Sequence, residues 1–249
     1  EDATISGAGG MNFNNGSLIV APGATLTADG AFAFGFGGGT ASVQVNGTLV
    51  KTGSGTITTN ANIGFHNAGA VDIQAGSIAL LGGGTQSGPF TMAPAGTLRL
   101  GASTTFQATS SITGGTLEVT SGTSTLPCPL DVALLNVTTG VLSVNGAATL
   151  DTVTINGGTV NVNVPVSIAT LSITSTTSIL GGSGAISVTD SLTWTLGTMG
   201  GSGSTTLLPG ATSNLVGNAV NARLLSRAFT LQEDATISGA GGMNFNNGS

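Results

Sequence analysis

Charged residues are scarce in this chain of 249 residues. Four basic and ten acidic side chains give a net charge of −6, and charged residues make up 6% of the sequence, against about a quarter in a typical soluble protein. The basic residues are Lys51, Arg99, Arg223 and Arg227. Nucleic acids and anionic membranes attract proteins through clustered lysine and arginine, so the sequence predicts neither as a partner.

Other absences exclude further classes. The single cysteine, Cys128, lies between two prolines and has no internal disulfide partner. We expect it to be a buried or half-buried small hydrophobe, with an intermolecular disulfide as the alternative. No apolar run approaches the roughly 18 residues of a membrane-spanning helix, so no membrane span is predicted. Strong helix formers are rare while glycine is abundant, which predicts an all-β chain.

The N-terminus has neither a methionine nor the charged-then-apolar pattern of a secretory signal. We therefore expect the chain to come from the interior of a longer precursor. An extracellular or cell-surface location is inferred only indirectly, through that precursor.

The most informative pattern is a long exact repeat. Residues 1–17 read EDATISGAGGMNFNNGS, and residues 233–249 have the same sequence. The offset is 233 minus 1, or 232 residues, which predicts a tandem unit covering 1–232 and a second unit beginning with 233–249. An engineered overlap or a circularised chain is the alternative. We call residues 1–17 the first segment and residues 233–249 the second segment.

Within the unit, short apolar–polar–apolar triplets recur. Successive side chains of a strand point to opposite faces, so the outer residues of each triplet face inward and the middle residue faces outward. Asp72, Arg99 and Glu118 occupy middle positions, where a charge avoids burial. The triplets are residues 43–45, 71–73, 98–100, 117–119, 142–144, 153–155, 171–173 and 186–188.

Turn motifs also recur between the triplets. The corner sequence at 21–26 (APGATL) returns loosely at 93–98 and 208–212, where proline and glycine favour a change of chain direction. A sandwich or barrel has no reason to repeat a corner motif, so we predict one undivided solenoid of stacked parallel strands. Its inner residues would include Val43, Val45, Leu98, Leu100, Leu117, Val119, Val160 and Val162.

One stretch, residues 219–231, has some helical character. Asn221 and Thr230 are poor helix formers, and nothing like a helix cap frames the stretch. We therefore interpret it as a variant coil.

Several stretches are similar to the Gly/Thr/Asn/Ser-rich tandem repeats of very large bacterial surface proteins, namely residues 13–16, 70–77 and 197–206. The chain resembles the filamentous-adhesin-like and autotransporter-like β-solenoids over its whole length. The resemblance implies a right-handed parallel β-helix on the cell exterior, acting as a stalk, adhesin or filament. At about 22 residues a coil, the 232-residue unit would hold roughly ten or eleven coils.

Enzymatic chemistry has little support. The carboxylates are dispersed, without the close pair that glycoside hydrolysis requires. Asp131 and Asp151 could meet on adjacent coils, but solvated turn carboxylates are the simpler interpretation. His66 is the sole histidine and no G-x-S-x-G motif accompanies it, so we expect a partly exposed turn residue and no catalytic site.

Binding sites for small groups are equally unsupported. One histidine and one cysteine cannot build a zinc site, and the calcium-binding repeat G-G-x-G-x-D is absent. The glycines at 35–39 do not precede a helix whose N-terminus could hold phosphate. We therefore predict no cofactor and no metal. Phe32, Phe34 and Phe36 are expected to stack inside a coil, and Trp194 stands alone as a candidate glycan contact. The T-x-T sequences at 56–58, 174–176 and 193–195 are too irregular for an ice-binding row.

The sequence therefore predicts a non-enzymatic structural fibre or stalk segment whose main partner is itself, through tandem repetition or association of chains. A bacterial adhesin that binds glycans or a host surface is the alternative. A polysaccharide-active enzyme and an ice-binding protein are further alternatives.

Overall fold

A computed structural model describes residues 2–217, 223–240 and 242–245. This part of the chain is all-β, without a helix, and its strands pair in parallel in about 12 coils. The predicted parallel β-solenoid is confirmed. The strands are β1 (Ala3–Ile5), β2 (Gly9–Val20), β3 (Thr25–Ala28), β4 (Phe32–Val45), β5 (Thr48–Lys51), β6 (Thr56–Thr59), β7 (Ile63–Asn67), β8 (Ala70–Ile73), β9 (Ser77–Leu80), β10 (Gly84–Gln86), β11 (Pro89–Leu100), β12 (Thr104–Phe106), β13 (Ser111–Val119), β14 (Thr123–Leu126), β15 (Leu130–Val137), β16 (Val141–Val144), β17 (Ala148–Ile155), β18 (Thr159–Val162), β19 (Val166–Ile173), β20 (Ile179–Gly181), β21 (Ala185–Trp194), β22 (Thr198–Met199), β23 (Ser204–Leu207), β24 (Thr212–Gly217), β25 (Arg223–Leu225), β26 (Ala228–Leu231), β27 (Ile237–Gly239) and β28 (Met243–Phe245).

The chain divides into two compact units, Glu1–Val132 and Ala133–Ser249. That residues 1–249 form one undivided solenoid stays a prediction. Each coil of a solenoid contacts only its neighbours, so contacts stay local along the stack and nothing ties distant coils into one cluster. The predicted 232-residue repeat is a separate matter and remains a prediction.

Three parallel ladders run through the first unit. One joins β1, β3, β5 and β8 and continues into β11 and β13. The second joins the first halves of β2 and β4 to β6 and β9, and the third joins their second halves to β7, β10, β12 and β14. Each coil therefore supplies three short strands around a common interior.

The second unit repeats this pattern. One ladder joins β16, β18, β20, β22, β25 and β28. β21 splits its pairing, with residues 185–188 on β23 and residues 191–193 on β24. The ladders then continue from β23 to β26 and from β24 to β27.

The interior confirms the triplet rule. Every outer triplet residue is buried, as are all eight residues predicted to face inward. Among the middle residues, Arg99 and Glu118 lie side by side on β11 and β13 and form an ion pair on the outer face. The alternation of a strand therefore places apolar side chains inside and charges outside in these coils.

Two of the three predicted corners occur as turns. Gly23 and Gly210 lie in turns with φ of +80° and +86°, a conformation that glycine adopts freely. At residues 93–96 the backbone stays extended, but β11 changes ladder there, from β8 to β9, with a shift of register. The stretch 219–231 contains β25 and β26 in place of a helix, while its residues 219–222 lie outside the described residues.

Candidate self-association edges

The first segment is paired along one edge. β1 pairs with β3 from Ala3↔Leu26 to Ile5↔Ala28, and β2 pairs with β4, with Met11 opposite Phe34. The ring of Phe13 packs 6.0 Å from the ring of Phe34 and is 7% exposed. We call residues 25–28 and 32–36 of β3 and β4 the receiving edge, because they hold the first segment.

Polar contacts help to fix the first segment on this side. The Asp2 Oδ1 atom accepts a hydrogen bond from the Thr25 backbone N–H at 2.8 Å, and the Asn15 Oδ1 atom accepts one from the Thr40 N–H at 3.1 Å. These bonds lie at either end of the described part of the segment, so they limit sliding of its register.

The glycines of β4 make room for the asparagines of the first segment. A Cβ atom at Gly35 would lie 2.0 Å from the Asn12 Oδ1 atom, and one at Gly39, whose φ is +71°, would lie 1.7 Å from the Asn15 Oδ1 atom. The glycine-rich stretch 35–39, which has no phosphate-binding context in the sequence, therefore has a steric role: it accommodates side chains of the first segment.

The opposite side of the first coil is open. Met11, opposite the buried Phe34, is exposed, whereas Ile19, opposite Gln44, faces outward and is 56% exposed. An apolar depression of about 220 Å³ is lined by Ala3, Leu18, Ile19, Val20 and Leu26 among others. Isolated exposed apolar residues are common, but a continuous apolar surface on an unpaired strand edge favours association.

The second segment shows the opposite pairing. β27 pairs with β24, with Ile237 opposite Leu215, and β28 pairs with β25, with Met243 opposite Arg223. The Glu233 Oε1 atom accepts a hydrogen bond of 2.7 Å from the Gly210 N–H at the preceding corner. The second segment is thus bound to the coil before it, whereas the first segment is bound to the coil after it.

The outer side of the second segment is exposed. Phe245, which corresponds to Phe13, is 69% exposed, and Ile237 is also exposed. Leu231, at the end of β26, is exposed as well, and β26 pairs only with β23 among the described strands. An apolar strand edge therefore also marks this end of the second unit.

Two arginines lie inside the coils next to the second segment. Arg223 donates from Nη1 to the Leu215 and Trp194 carbonyl oxygens, and its guanidinium stands 5.8 Å from the centre of the Trp194 ring. Arg227 donates to four backbone carbonyl oxygens, two of them on Gly184 and Ser204 at 2.9 and 2.8 Å. Burial lowers the pKa of both side chains, that of Arg227 to about 10.

The buried cations were missed by the sequence reasoning. Lys51 is also fully buried, and it donates to the carbonyl oxygens of Thr52 and Gly53. Burial lowers the pKa of Lys51, partly offset by Asp29. The alternation of the strands contained a signal for the burial of Lys51 and Arg223. Lys51 is two residues after the inward-facing Leu49, and Arg223 is two residues before the inward-facing Leu225.

The residues considered for catalysis lie apart from these edges. His66 is exposed on β7, and its Nδ1 atom accepts a hydrogen bond from the Thr85 N–H at 3.2 Å. Asp131 and Asp151 are both exposed and belong to different compact units. No group of three or more His, Cys, Asp or Glu side chains that could hold a metal ion occurs within residues 2–217, 223–240 and 242–245.

The remaining candidates are mostly interior. Cys128 is fully buried, as expected of a small hydrophobe. Trp194 is fully buried too and packs edge-on against Phe229, so it presents no surface to a glycan. Phe34 is buried against the ring of Phe32, but Phe32 and Phe36 are only half-buried, so the predicted stack of three rings inside the coil is confirmed only in part. Residues 174–176 lie in a turn and form no threonine row.

The fold defines the class of the chain as an all-β parallel β-solenoid. No family model, curated protein or solved structure matches the chain. In the described part of the chain, no helix has the length and apolar character needed to cross a membrane.

Proposed function

We propose that the chain is a structural segment of an extracellular or cell-surface fibre or stalk, built from tandem β-solenoid units and without catalytic activity. The observation that carries the proposal is the pairing of the second segment. Its residues 237–239 and 243–245 extend the ladders of the preceding coil in parallel register. A following unit that begins with this sequence would therefore continue the same ladders.

The first segment supports the proposal from the other side. Its sequence also pairs in register with the coil that follows it. The same sequence therefore pairs with the last coil of a unit in one place and with the second coil of a unit in the other. A coil at the junction between two units must form both pairings. The low charge of the chain supports the same function, because little like-charge repulsion opposes the stacking of units.

The resemblance to repeats of bacterial surface proteins supports the location and the architectural role. Labelling intact, unpermeabilised source cells with antibodies against the chain tests the location. Signal only after permeabilisation would contradict it.

Electron microscopy tests the fibre itself. Roughly eleven coils per 232-residue unit, each rising about 4.8 Å, give an axial advance of roughly 50 Å per unit. We expect the native material to form a fibre with this period, and a chain of two units to be longer than the 249-residue chain by the same amount. Compact particles of both, or a period unrelated to 50 Å, would contradict the proposal.

The absence of catalysis is tested separately. Incubation with acidic and neutral polysaccharides should release no reducing ends and no unsaturated sugars. Release of either product would contradict this part of the proposal.

A further inference from the structure

Four asparagines of the chain stand in the tripeptide N-x-S or N-x-T, where x is not proline. They are Asn15, Asn46, Asn136 and Asn247. This tripeptide is the acceptor of N-linked glycosylation, which attaches a bulky, solubilising sugar to an asparagine at the protein surface. Asn247 is the counterpart of Asn15 in the second segment and lies outside the described residues. The fold around the other three asparagines distinguishes them as acceptors.

Asn46 lies at the corner between β4, which ends at Val45, and β5, which begins at Thr48. Its side chain is exposed, and its amide forms no hydrogen bond with any residue that the structure describes. The backbone N–H groups of Asn46 and Gly47 both donate to the Val20 carbonyl oxygen, at 2.9 and 3.0 Å. The corner is therefore held by its main chain, and the Asn46 amide is left for other contacts.

The coils on either side leave room beside Asn46. The ladder of β2, β4 and β7 continues into this corner, so the residues stacked next to Asn46 are Ala21 and Ala68. Both alanines are exposed, and their side chains are single methyl groups. A sugar on the Asn46 Nδ2 atom would therefore meet no large side chain at the same position of the adjacent coils and would project into solvent.

Asn15 has no such freedom. Its Oδ1 atom accepts the hydrogen bond from the Thr40 N–H, and a Cβ atom at Gly39 would lie 2.8 Å from its Nδ2 atom. The hydroxyl of Ser17, the third residue of this tripeptide, is hydrogen-bonded to the Ser42 hydroxyl at 2.8 Å. The nitrogen that would carry the sugar thus packs against the backbone of the next coil.

Asn136 lies within a sheet and not at a corner. It belongs to β15, which pairs with β13 on one side and with β17 on the other. Its side chain is half-buried on the outer face, between the buried Leu135 and Val137. A sugar at this position would displace contacts that the exposed Asn46 does not make.

From these differences we propose that Asn46 is N-glycosylated and that Asn15 and Asn136 are not. The sugar donor would be a glycosyl diphosphate, carried on a lipid or a nucleotide and used by a glycosyltransferase of the source cell. The Nδ2 atom of Asn46 forms a bond to the anomeric carbon and loses one proton to a base of the transferase. The bond from that carbon to the phosphate oxygen breaks, and the phosphate-bearing carrier leaves with the electron pair.

The inference rests on the proposed function, because N-x-S/T asparagines are modified in proteins of the cell exterior. In a fibre of tandem units, each unit would carry one such sugar, at intervals of roughly 50 Å along the axis. Charged residues make up 6% of the chain, so little like-charge repulsion keeps neighbouring fibres apart. A hydrated sugar at an exposed corner would supply that separation sterically.

Peptide mapping of the native protein by mass spectrometry tests the inference. We expect the peptide that contains Asn46 to carry the added mass of a sugar, with fragmentation placing it on Asn46. The peptides that contain Asn15 and Asn136 should have their unmodified masses. An added oligosaccharide would identify the lipid-linked donor and a single hexose the nucleotide-linked donor, and either result supports the inference.

Three variants produced in the source cells supply matched controls. Asn46→Gln keeps an amide but is not an acceptor, and Thr48→Ala keeps Asn46 but removes the third residue of the tripeptide, so both should lose the added mass completely. Thr48→Ser restores the tripeptide and should regain the sugar. Circular dichroism should be the same for all three, because Asn46 is exposed and Thr48 is only half-buried.

Three results would overturn the inference: an unmodified Asn46 in protein recovered from the cell surface, a sugar on Asn15 or Asn136 in place of Asn46, and an added mass that persists in the Thr48→Ala variant. None of these results bears on the period of the fibre, so the structural role would still stand. Conversely, a sugar on Asn46 of a chain that forms no fibre would support this inference and contradict only the proposed function.

Discussion

Phe13 and Phe245 occupy the same position in two identical segments, yet one is 7% exposed and the other 69%. Phe13 is covered by Phe34 of the following coil, and no described residue covers Phe245 in this way. The local sequence selects an extended strand in both places. Whether its aromatic side chain is buried depends on the neighbouring coil, because a solenoid strand buries its side chains against the strands stacked beside it.

Glycines show the same contrast on each edge. A Cβ atom at Gly10 would lie 3.0 Å from the Ala33 carbonyl oxygen, whereas one at Gly242, the equivalent position, would have no atom within 4 Å. The inner edge is reversed: a Cβ atom at Gly239 would lie 2.0 Å from the Gly217 carbonyl oxygen, and one at Gly7 would be free. The space available for a Cβ atom at these glycines therefore shows which edge of each segment is covered.

The largest effect is expected from truncating the two phenylalanines. Phe13→Ala should lower the free energy of unfolding of the first coil by about 3 kcal/mol, because it removes a buried ring and leaves a cavity. Phe245→Ala should change stability by less than about 0.5 kcal/mol, as expected at an exposed site. Denaturant unfolding with hydrogen exchange of the first coil measures both, and equal losses would contradict the comparison.

The inner-edge glycines should give the next largest difference. Gly239→Ala combines a φ of +95° with a clash against the Gly217 carbonyl, so it should weaken the docking of β27 by about 2 kcal/mol or more. Gly7→Ala has a φ of +87° but no clash, and should cost about 1 kcal/mol through backbone strain alone. Hydrogen exchange at residues 215–217 and 26–28 provides the measurement. A larger loss of stability in the Gly7→Ala variant than in the Gly239→Ala variant would show that the inner edge of the second segment is not covered.

Substitution of the two outer-edge glycines, Gly10 and Gly242, tests the same comparison with a smaller expected effect on stability. Gly10→Ala brings a methyl group against a backbone carbonyl that can shift only slightly, so a loss of about 1 kcal/mol is expected. Gly242→Ala should leave stability unchanged or raise it slightly, because the variant restricts the unfolded chain. Thermal unfolding of both variants beside wild type is sufficient, and a destabilised Gly242 variant would argue against an open outer edge.

Cys128 lies in neither segment and gives a reference for the coil interior, with the smallest expected effect. Burial raises the pKa of its thiol above the ordinary 9.0, despite hydrogen bonds to its own backbone and to Ser110. The unfolded chain therefore loses this proton first, and stability should fall as pH rises from 9 towards the folded-state pKa. The Cys128→Ala variant should lack this decline. Lys51 titrates in both proteins, so the difference between their unfolding free energies isolates the cysteine.

Much of the fold was predictable because strand alternation is a local property. The triplets at 43–45 and 98–100 place apolar side chains at every second position, and this alone assigns strand, inward face and outward face. The proline–glycine corners at 22–23 and 209–210 were predictable for a similar reason, since their dihedral preferences are intrinsic to the residues.

The burial of Arg227 was not predictable with the same rule, because Arg227 lies between β25 and β26 and not within a strand. Arg227 has no acidic partner within the described residues, and its burial depends on carbonyl oxygens of Gly181, Gly184, Gly200 and Ser204, which only coil stacking brings within reach. The steric role of the glycines at 35–39 was unpredictable for the same reason, because it depends on how the coils stack. They accommodate asparagines about 23 residues earlier in the chain, and the coil register decides which residues meet.

The sequence by itself determined that this chain is a stack of short parallel strands and that one segment of seventeen residues occurs twice, because alternation, turn residues and exact repetition can be seen without coordinates. The tertiary structure alone decided which edge of each segment is paired, that Phe13 is covered while Phe245 is open, and that the chain divides into two compact units. Those outcomes depend on contacts between residues 18 to 26 positions apart, as in the pairs Leu142↔Val160 and Thr198↔Leu224. Local preferences carry no information about such contacts.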